Sequence, residues 1–360
     1  MLGWTVRAMV AVVALMACCG AQCAPARQSA SAERTVAQAQ VGPATAIDTE
    51  EGALQEETPV SAPEQPGNED ETPDVPAWAK LSTQQIDAAK QLGIPVAKEL
   101  DLGGGMTMRL VLIPPGEFMM GSPESEDGHL GDEGPVHAVG ITSPFYMGIC
   151  EVTNGQYMQF RDSGADDPAG AEDSYLKHIQ EGQEPTSGPQ QPVIWVSWNN
   201  ATAFTEWLST KAGLAARLPT EAEWEYACRA GSEARFSYGD DPECLQLAAH
   251  AWYDDDSAGR PHPVAQLAPN GWGLYDMHGN VWEWCSDWYG RDYYAGSPQA
   301  DPPGPSTGQE RVLRGGSWYS MPQFCRSAAR LMVRPAVAYD SYGFRVVVAA
   351  PGAPEPGEFH

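Results

Sequence analysis

NGWGLYDMHGNVWEWCSDWY, residues 270–289, is the stretch whose reading decides the fold. It carries four tryptophans and three glycines. Neither a helical period nor a sustained alternation organises them. Beyond Ala230 regular periodicity nearly vanishes for about eighty residues, although Trp252, Trp272, Trp282, Trp284, Trp288 and Trp318 all lie there. Long irregular backbone packed on aromatics needs side-chain or metal ties to satisfy its polar groups. That predicts an α+β domain with little regular secondary structure.

Working outward, the better helices carry their own punctuation. LSTQQIDAAKQLGIP has Ser82 as N-cap, Gln85 at the capping-box position, and Gly93 and Pro95 as the stop. A second helix starts near Thr153. WNNATAFTEWLSTKAG puts Ala203, Phe204, Trp207 and Leu208 on one stripe and ends at Gly213. RLPTEAEWEYACRAG has Thr220 and Glu223 as a capping box, Trp224 and Cys228 facing inward, and Gly231 closing it. RLVLIPPGEFMMGS alternates on a period of two around Pro-Pro-Gly, which predicts two strands in a hairpin-like arrangement. VLRGGSW and GFRVVVA read as strands.

The chain has 360 residues with 48 acidic against 21 basic, a formal charge of −27. Phosphate backbones and anionic headgroups repel such a chain, which argues against nucleic-acid binding. No apolar run reaches the length of a membrane span. Residues 1–23 read as an export signal, with Arg7 ahead of the apolar run AMVAVVALMA. Leu15-Met16-Ala17-Cys18 is an approximate lipobox that would make Cys18 a lipidated N-terminus. Ordinary cleavage near Ala21 or Ala24 is the alternative. Residues 24–77 form an acidic, Pro-rich tether expected to be disordered, with ten acids and no Lys or Arg in 41–76. A lead-in with the short helix covers 78–101, the globular unit 102–350, and a polar tail 351–360. Export permits oxidation of Cys150, Cys228, Cys244 and Cys285, and one disulfide of unassigned pairing is expected. Neither CxxC nor HExxH occurs. His137, His250, His262 and His278, scattered among turn residues, read as surface or hydrogen-bonding histidines.

IPPGEFMMGS, EVTNGQYMQF, RLPTEAEWEYACRAG, NGWGLYDMHGNVWEWCSDWY, RVLRGGSW and GFRVV occur in this order. Together they resemble the formylglycine-generating enzyme family, also called the sulfatase-modifying factor domain, across about 102–350. The resemblance implies a variant of the C-type-lectin-like fold. It also implies oxygen-dependent conversion of a cysteine in a sulfatase's CxPxR motif to formylglycine, with Cu(I) held between two thiolates.

The family's serine matches Ser317, and the two copper-binding cysteines fall at the third and eighth positions after it. Here those are Ser320 and Cys325. A neutral hydroxyl is a poor Cu(I) ligand, so the two-thiolate site cannot form as in the family enzyme. Cys325 is either a reactive or metal-binding thiol or a small buried hydrophobe. Ser320 as a nucleophile lacks a named base.

The resemblance further implies structural calcium held by Asp276 and Glu283 with the backbone oxygens of Gly279 and Val281. A second calcium would involve Asp256. The alternatives are a hydrogen-bond network for Asp276 and Glu283, and a solvated acidic turn for Asp254, Asp255 and Asp256. The expected partner is a CxPxR polypeptide, or another protein or glycan of the cell envelope. The chain is expected to be monomeric, bacterial and exported to the periplasm or envelope, touching a membrane only through a lipid anchor. The competing function is a non-catalytic lectin-like module that binds a peptide or glycan.

Overall fold

A computed structural model describes residues 74–165 and 186–351. The export signal with Cys18, residues 24–73 of the tether and residues 352–360 of the tail lie outside the described residues. Among the described residues no helix is long and apolar enough to cross a membrane.

Local signals set the four α-helices among the described residues. In α1 (Thr83–Leu92) Ser82 and Gln85 form a reciprocal capping box, and Gly93 closes the helix in the left-handed conformation. The same box starts α2 (Asn154–Asp162) at Thr153 and Gln156, and α3 (Trp198–Ala212) at Ser197 and Asn200. Thr220 and Glu223 start α4 (Glu221–Arg229). Its left-handed cap is Ala230, one residue ahead of the expected Gly231.

Five strands, β1 (Ala97–Gly103), β2 (Met106–Ile113), β5 (Phe145–Gly148), β6 (Ala216–Arg217) and β11 (Val347–Ala349), form one sheet. Its order is β1-β2-β5-β11-β6, with every pairing antiparallel. Successive residues point to opposite faces, so this sheet divides two cores. Leu110, Leu112, Tyr146 and Val348 pack with α2 and α3, through Tyr157, Phe160, Phe204 and Leu208. Val111, Ile113, Phe145, Met147 and Val347 pack with Trp224, Tyr226 and Cys228 of α4.

The predicted hairpin within RLVLIPPGEFMMGS does not form. β2 pairs with β1 and β5, while β3 (Gly116–Met120) pairs with β4 (His137–Ile141) in a separate two-stranded sheet. Pro114 and Pro115 fix φ near −65°, whereas a two-residue hairpin turn needs positive φ. The chain therefore passes from one sheet to the next.

The decisive stretch supplies β7 (Trp282–Trp288), an inner strand of a second large sheet. It lies between β8 (Arg311–Arg314) and the short parallel strand β10 (Tyr342–Gly343), and β9 (Arg330–Val333) completes the sheet beyond β8. Trp282 and Trp284 enter one core and Cys285 the other.

Candidate functional site

β8 runs out into the turn Gly315-Gly316-Ser317. Gly316 has φ +81°, and a Cβ there would meet Cys325 Sγ at 2.7 Å and the Phe324 carbonyl at 2.9 Å. Only glycine lets the turn pass this close to the segment carrying Cys325. The turn then folds on itself. Ser317 N–H donates to Ser320 Oγ (3.0 Å), Ser320 N–H donates to the Ser317 carbonyl (2.9 Å), and the two hydroxyl oxygens lie 3.1 Å apart. Both serines are buried.

Cys325 is sealed at 0% exposure among Phe236, Leu247, Ala251 and Tyr253. Burial pushes its thiol far above the ordinary cysteine range, so it stays protonated at neutral pH. The structure thus brings Ser317 and Ser320 into one turn packed against Cys325, but as hydroxyls bonded to each other and a protonated thiol in the core. These residues do not fit Cu(I), which needs accessible thiolates.

Around that turn lies an aromatic rim. Tyr319 (69% exposed), Met321 (39%) and Tyr339 (52%) are three of its apolar side chains. The Trp318 ring contacts Tyr319 at 5.5 Å, and its Nε1–H donates to the Asp340 carbonyl (3.0 Å). Trp195 stacks on Tyr339 with centroids 6.2 Å apart and 15° between planes. Tyr339 and Trp195 escaped the sequence reading. They sit in segments remote from RGGSW, and only the general aromatic density pointed toward them.

Of the expected calcium donors, Asp276 and Glu283 are both buried. Both Glu283 oxygens are taken by Arg345, through Nε to Oε2 and Nη2 to Oε1, each 2.5 Å. Trp224 Nε1–H adds a third bond to Oε2 at 2.7 Å. Gly279 (φ +94°) runs 2.3 Å from the Trp252 carbonyl at its would-be Cβ, and its N–H donates to the Gly315 carbonyl. Val281 is fully buried. Asp276 Oδ2 accepts from Ala265 N–H (2.7 Å), while Oδ1 has no donor. Burial raises the Asp276 carboxyl to about 6 against the pull of that bond and of Arg345. Burial likewise raises Glu151, with Asp276 and Glu283 adding repulsion. Asp256 is exposed in the turn 254–256. Among the described residues no three His, Cys, Asp or Glu side chains are arranged to hold a metal.

The expected disulfide is corrected. Cys150, Cys228, Cys285 and Cys325 are free thiols, and Cys244 bridges to none of them. Cys285 of β7 and Cys228 of α4 are buried in the same core, with Cys228 Sγ 3.7 Å from Ser327 Oγ and 3.8 Å from the Met277 carbonyl. His278, read as a surface or hydrogen-bonding residue, proves buried. Its Nδ1 lies 2.8 Å from the Cys325 carbonyl. His262 stacks on Trp252 (3.8 Å) and His250 on Tyr238 (4.1 Å).

Comparison with known proteins matches this architecture. The chain is 36% identical over 285 residues to the formylglycine-generating enzyme of Streptomyces coelicolor, covering 65% of this chain and 87% of that one. Among solved structures, PvdO from Pseudomonas aeruginosa aligns with a TM-score of 0.61 at 30% identity, over 70% of this chain and 98% of its own. Treponema denticola variable protein 1 aligns at 0.59 and 28%, over 71% and 100%. The sulfatase-modifying factor enzyme 1-like domain matches residues 103–350, and the chain belongs to that family.

Proposed function

We propose that this chain is a non-catalytic, polypeptide-binding member of the family, which seats its ligand on the aromatic rim above Ser317 and Ser320. One observation carries the reading. At the two positions where the resemblance implies copper thiolates, the chain has a hydroxyl bonded to Ser317 and a thiol sealed from solvent. The exposed rings of Tyr319 and Tyr339 and the thioether of Met321 support binding, since rigid aromatics and adaptable Met surfaces are common anchors for peptides. We read the scaffold as a variant of the C-type-lectin-like fold. We read the chain as exported to a bacterial cell envelope and anchored through Cys18, which rests on Arg7 and the apolar run 8–17.

The family oxidase is the second reading, favoured by the identity to the Streptomyces coelicolor enzyme. One experiment separates the two. The full chain is incubated with a labelled CxPxR peptide, Cu(I), reductant and oxygen. The peptide mass is read beside its binding anisotropy, with a scrambled peptide and a neutral oligosaccharide as comparisons. The expected result is an unmodified peptide whose binding is lost in Tyr319→Ala and Tyr339→Ala. Conversion of the cysteine to formylglycine would establish the oxidase. Capture of the oligosaccharide alone would make the rim a glycan site.

A further inference from the structure

Arg235 ties two distant stretches of chain together. Its Nη1–H donates to the carbonyls of Asp241 (3.4 Å) and Pro242 (3.3 Å), and its own carbonyl accepts from Ser327 N–H (3.0 Å). Cys244 follows Pro242 by two residues, and Cys325 precedes Ser327 by two. The turn carrying Cys244 is itself fixed by buried Asp241. The Asp241 carbonyl accepts from Cys244 N–H (3.0 Å), and its carboxylate accepts from Leu245 N–H (2.9 Å) and Gln246 N–H (2.8 Å).

These bonds bring both cysteines to one small apolar cluster. Cys325 lies within it, beside Phe236, Leu247, Ala251 and Tyr253, and Cys244 packs against it. Cys228 and Cys285 belong to the core around α4 instead. Burial pushes the Cys325 thiol up and the charge of Cys244 pushes it further, so the two sulfurs lie within electrostatic reach. Their access to solvent differs. Cys325 is sealed, whereas Cys244 is half-buried and is the sulfur an oxidant meets first.

We propose that Cys244 and Cys325, thiols in this structure, close into a reversible disulfide when the chain meets a peroxide. The Cys244 sulfur attacks one peroxide oxygen and the O–O bond breaks. The thiol proton leaves with the departing oxygen as water, and Cys244 becomes a sulfenic acid. The Cys325 sulfur then displaces that hydroxyl, which takes the Cys325 proton and leaves as a second water. Two thiols are oxidised to one disulfide and one peroxide is reduced to two waters. The bond staples the turn 241–246 to the segment that packs on Gly316. It differs from the thiolate pair implied by the family resemblance, because the partner comes from another loop and not from position 320.

Peptide mapping of the full chain tests this. The chain is reduced, freed of reductant and treated with hydrogen peroxide while folded. It is then alkylated in urea and digested without reductant. The expected result is one peptide pair joining Cys244 to Cys325, lighter than the two free peptides by two hydrogens and separated by dithiothreitol. Cys244→Ser should leave Cys325 a thiol at the same peroxide dose, because the sealed sulfur no longer has a partner that meets the oxidant. Cys325→Ala should let dimedone trap the sulfenic acid on Cys244. The oxidised parent should melt at a higher temperature than the reduced parent, a gain absent from Cys244→Ser. The map of the parent chain decides the matter even if a variant fails to fold. Cys244 oxidised beyond sulfenic acid while Cys325 stays a thiol would overturn the proposal. So would a link that forms only in urea, or one that joins Cys244 to Cys150.

Discussion

Arg345 and Glu283 meet as a two-bond ion pair in the middle of the protein, each bond 2.5 Å long, with both side chains essentially without solvent contact. β10 runs beside β7 and pairs Gly343 with Glu283, two residues before Arg345, so the pair joins the C-terminal strands to the decisive stretch. Removing one partner of a buried pair strands the other charge. Glu283→Gln should therefore cost about 3–5 kcal/mol of stability. Urea unfolding of the parent and variant chains measures it, and a loss within the error of the extrapolation would mean water reaches Arg345.

Cys325 should behave as a core residue. With its thiol protonated and enclosed by Phe236, Leu247, Ala251 and Tyr253, alkylation by iodoacetamide at pH 8 should be slow in the folded chain and complete after unfolding. Peptide mass spectrometry resolves it from Cys150 and Cys244. Ser320→Cys should restore a thiol at position 320 without creating a Cu(I) site, because its partner remains sealed. Competition against a Cu(I) chelator should show the variant no tighter than the parent. Rapid native alkylation of Cys325, or a clear gain in copper affinity, would return the oxidase reading to favour.

What the sequence disclosed follows the range of each interaction. Capping boxes at Ser82, Thr153 and Thr220 are local, so the helix starts were legible residue by residue. Strand partners are not local. Nothing in Ile113-Pro114-Pro115-Gly116 says that β2 and β3 belong to different sheets. β7 showed no alternation because Trp282, Trp284 and Cys285 are all buried, two against one core and one against the other. Ser317, Ser320 and Cys325 were placed by the family resemblance, but the sealing of Cys325 depends on Phe236 and Tyr253, far away in sequence. Glu151 gave no signal, since in EVTNGQ it reads as an ordinary acid ahead of a helix cap.

Asp287 gives stability a dependence on pH that a surface carboxylate would lack. Burial raises it from 3.8 to about 7, with the Glu221 charge adding to the shift, while bonds from Glu221 N–H (2.8 Å) and Ser286 Oγ (3.2 Å) hold it lower than burial alone would. The folded state therefore keeps a proton that the unfolded chain releases above about pH 4. Stability from this group declines as pH rises from about 4 to 7, by roughly 4 kcal/mol at most. Asp287→Asn keeps both accepted bonds and removes the charge. Above pH 7 the variant should be the more stable chain, and near pH 4 the two should agree. Parallel unfolding midpoints at pH 4.5 and pH 8 would rule this out.

His278 should produce the opposite slope. Its Nδ1 faces the Cys325 carbonyl at 2.8 Å and its Nε2 faces the Ser237 N–H at 3.2 Å, so the ring is neutral with its proton on Nδ1. A second proton on Nε2 would displace the bond from the Ser237 N–H and leave the Ser237 Oγ, 2.9 Å away, to accept it inside the core. Burial, the leading cause, lowers the group to about 4 from 6.5. The unfolded chain takes up this proton first on acidification. Stability should be full above about pH 6.5 and fall toward pH 4, by roughly 3 kcal/mol. In the parent chain this fall opposes the Asp287 trend over the same window and partly hides it. The difference in stability between the parent chain and His278→Gln, taken between pH 4 and 7, should expose it as a rising limb, because the raised carboxyls of Asp287, Asp276 and Glu151 contribute equally to both chains. A difference that stays flat across that range would mean that His278 titrates in contact with water.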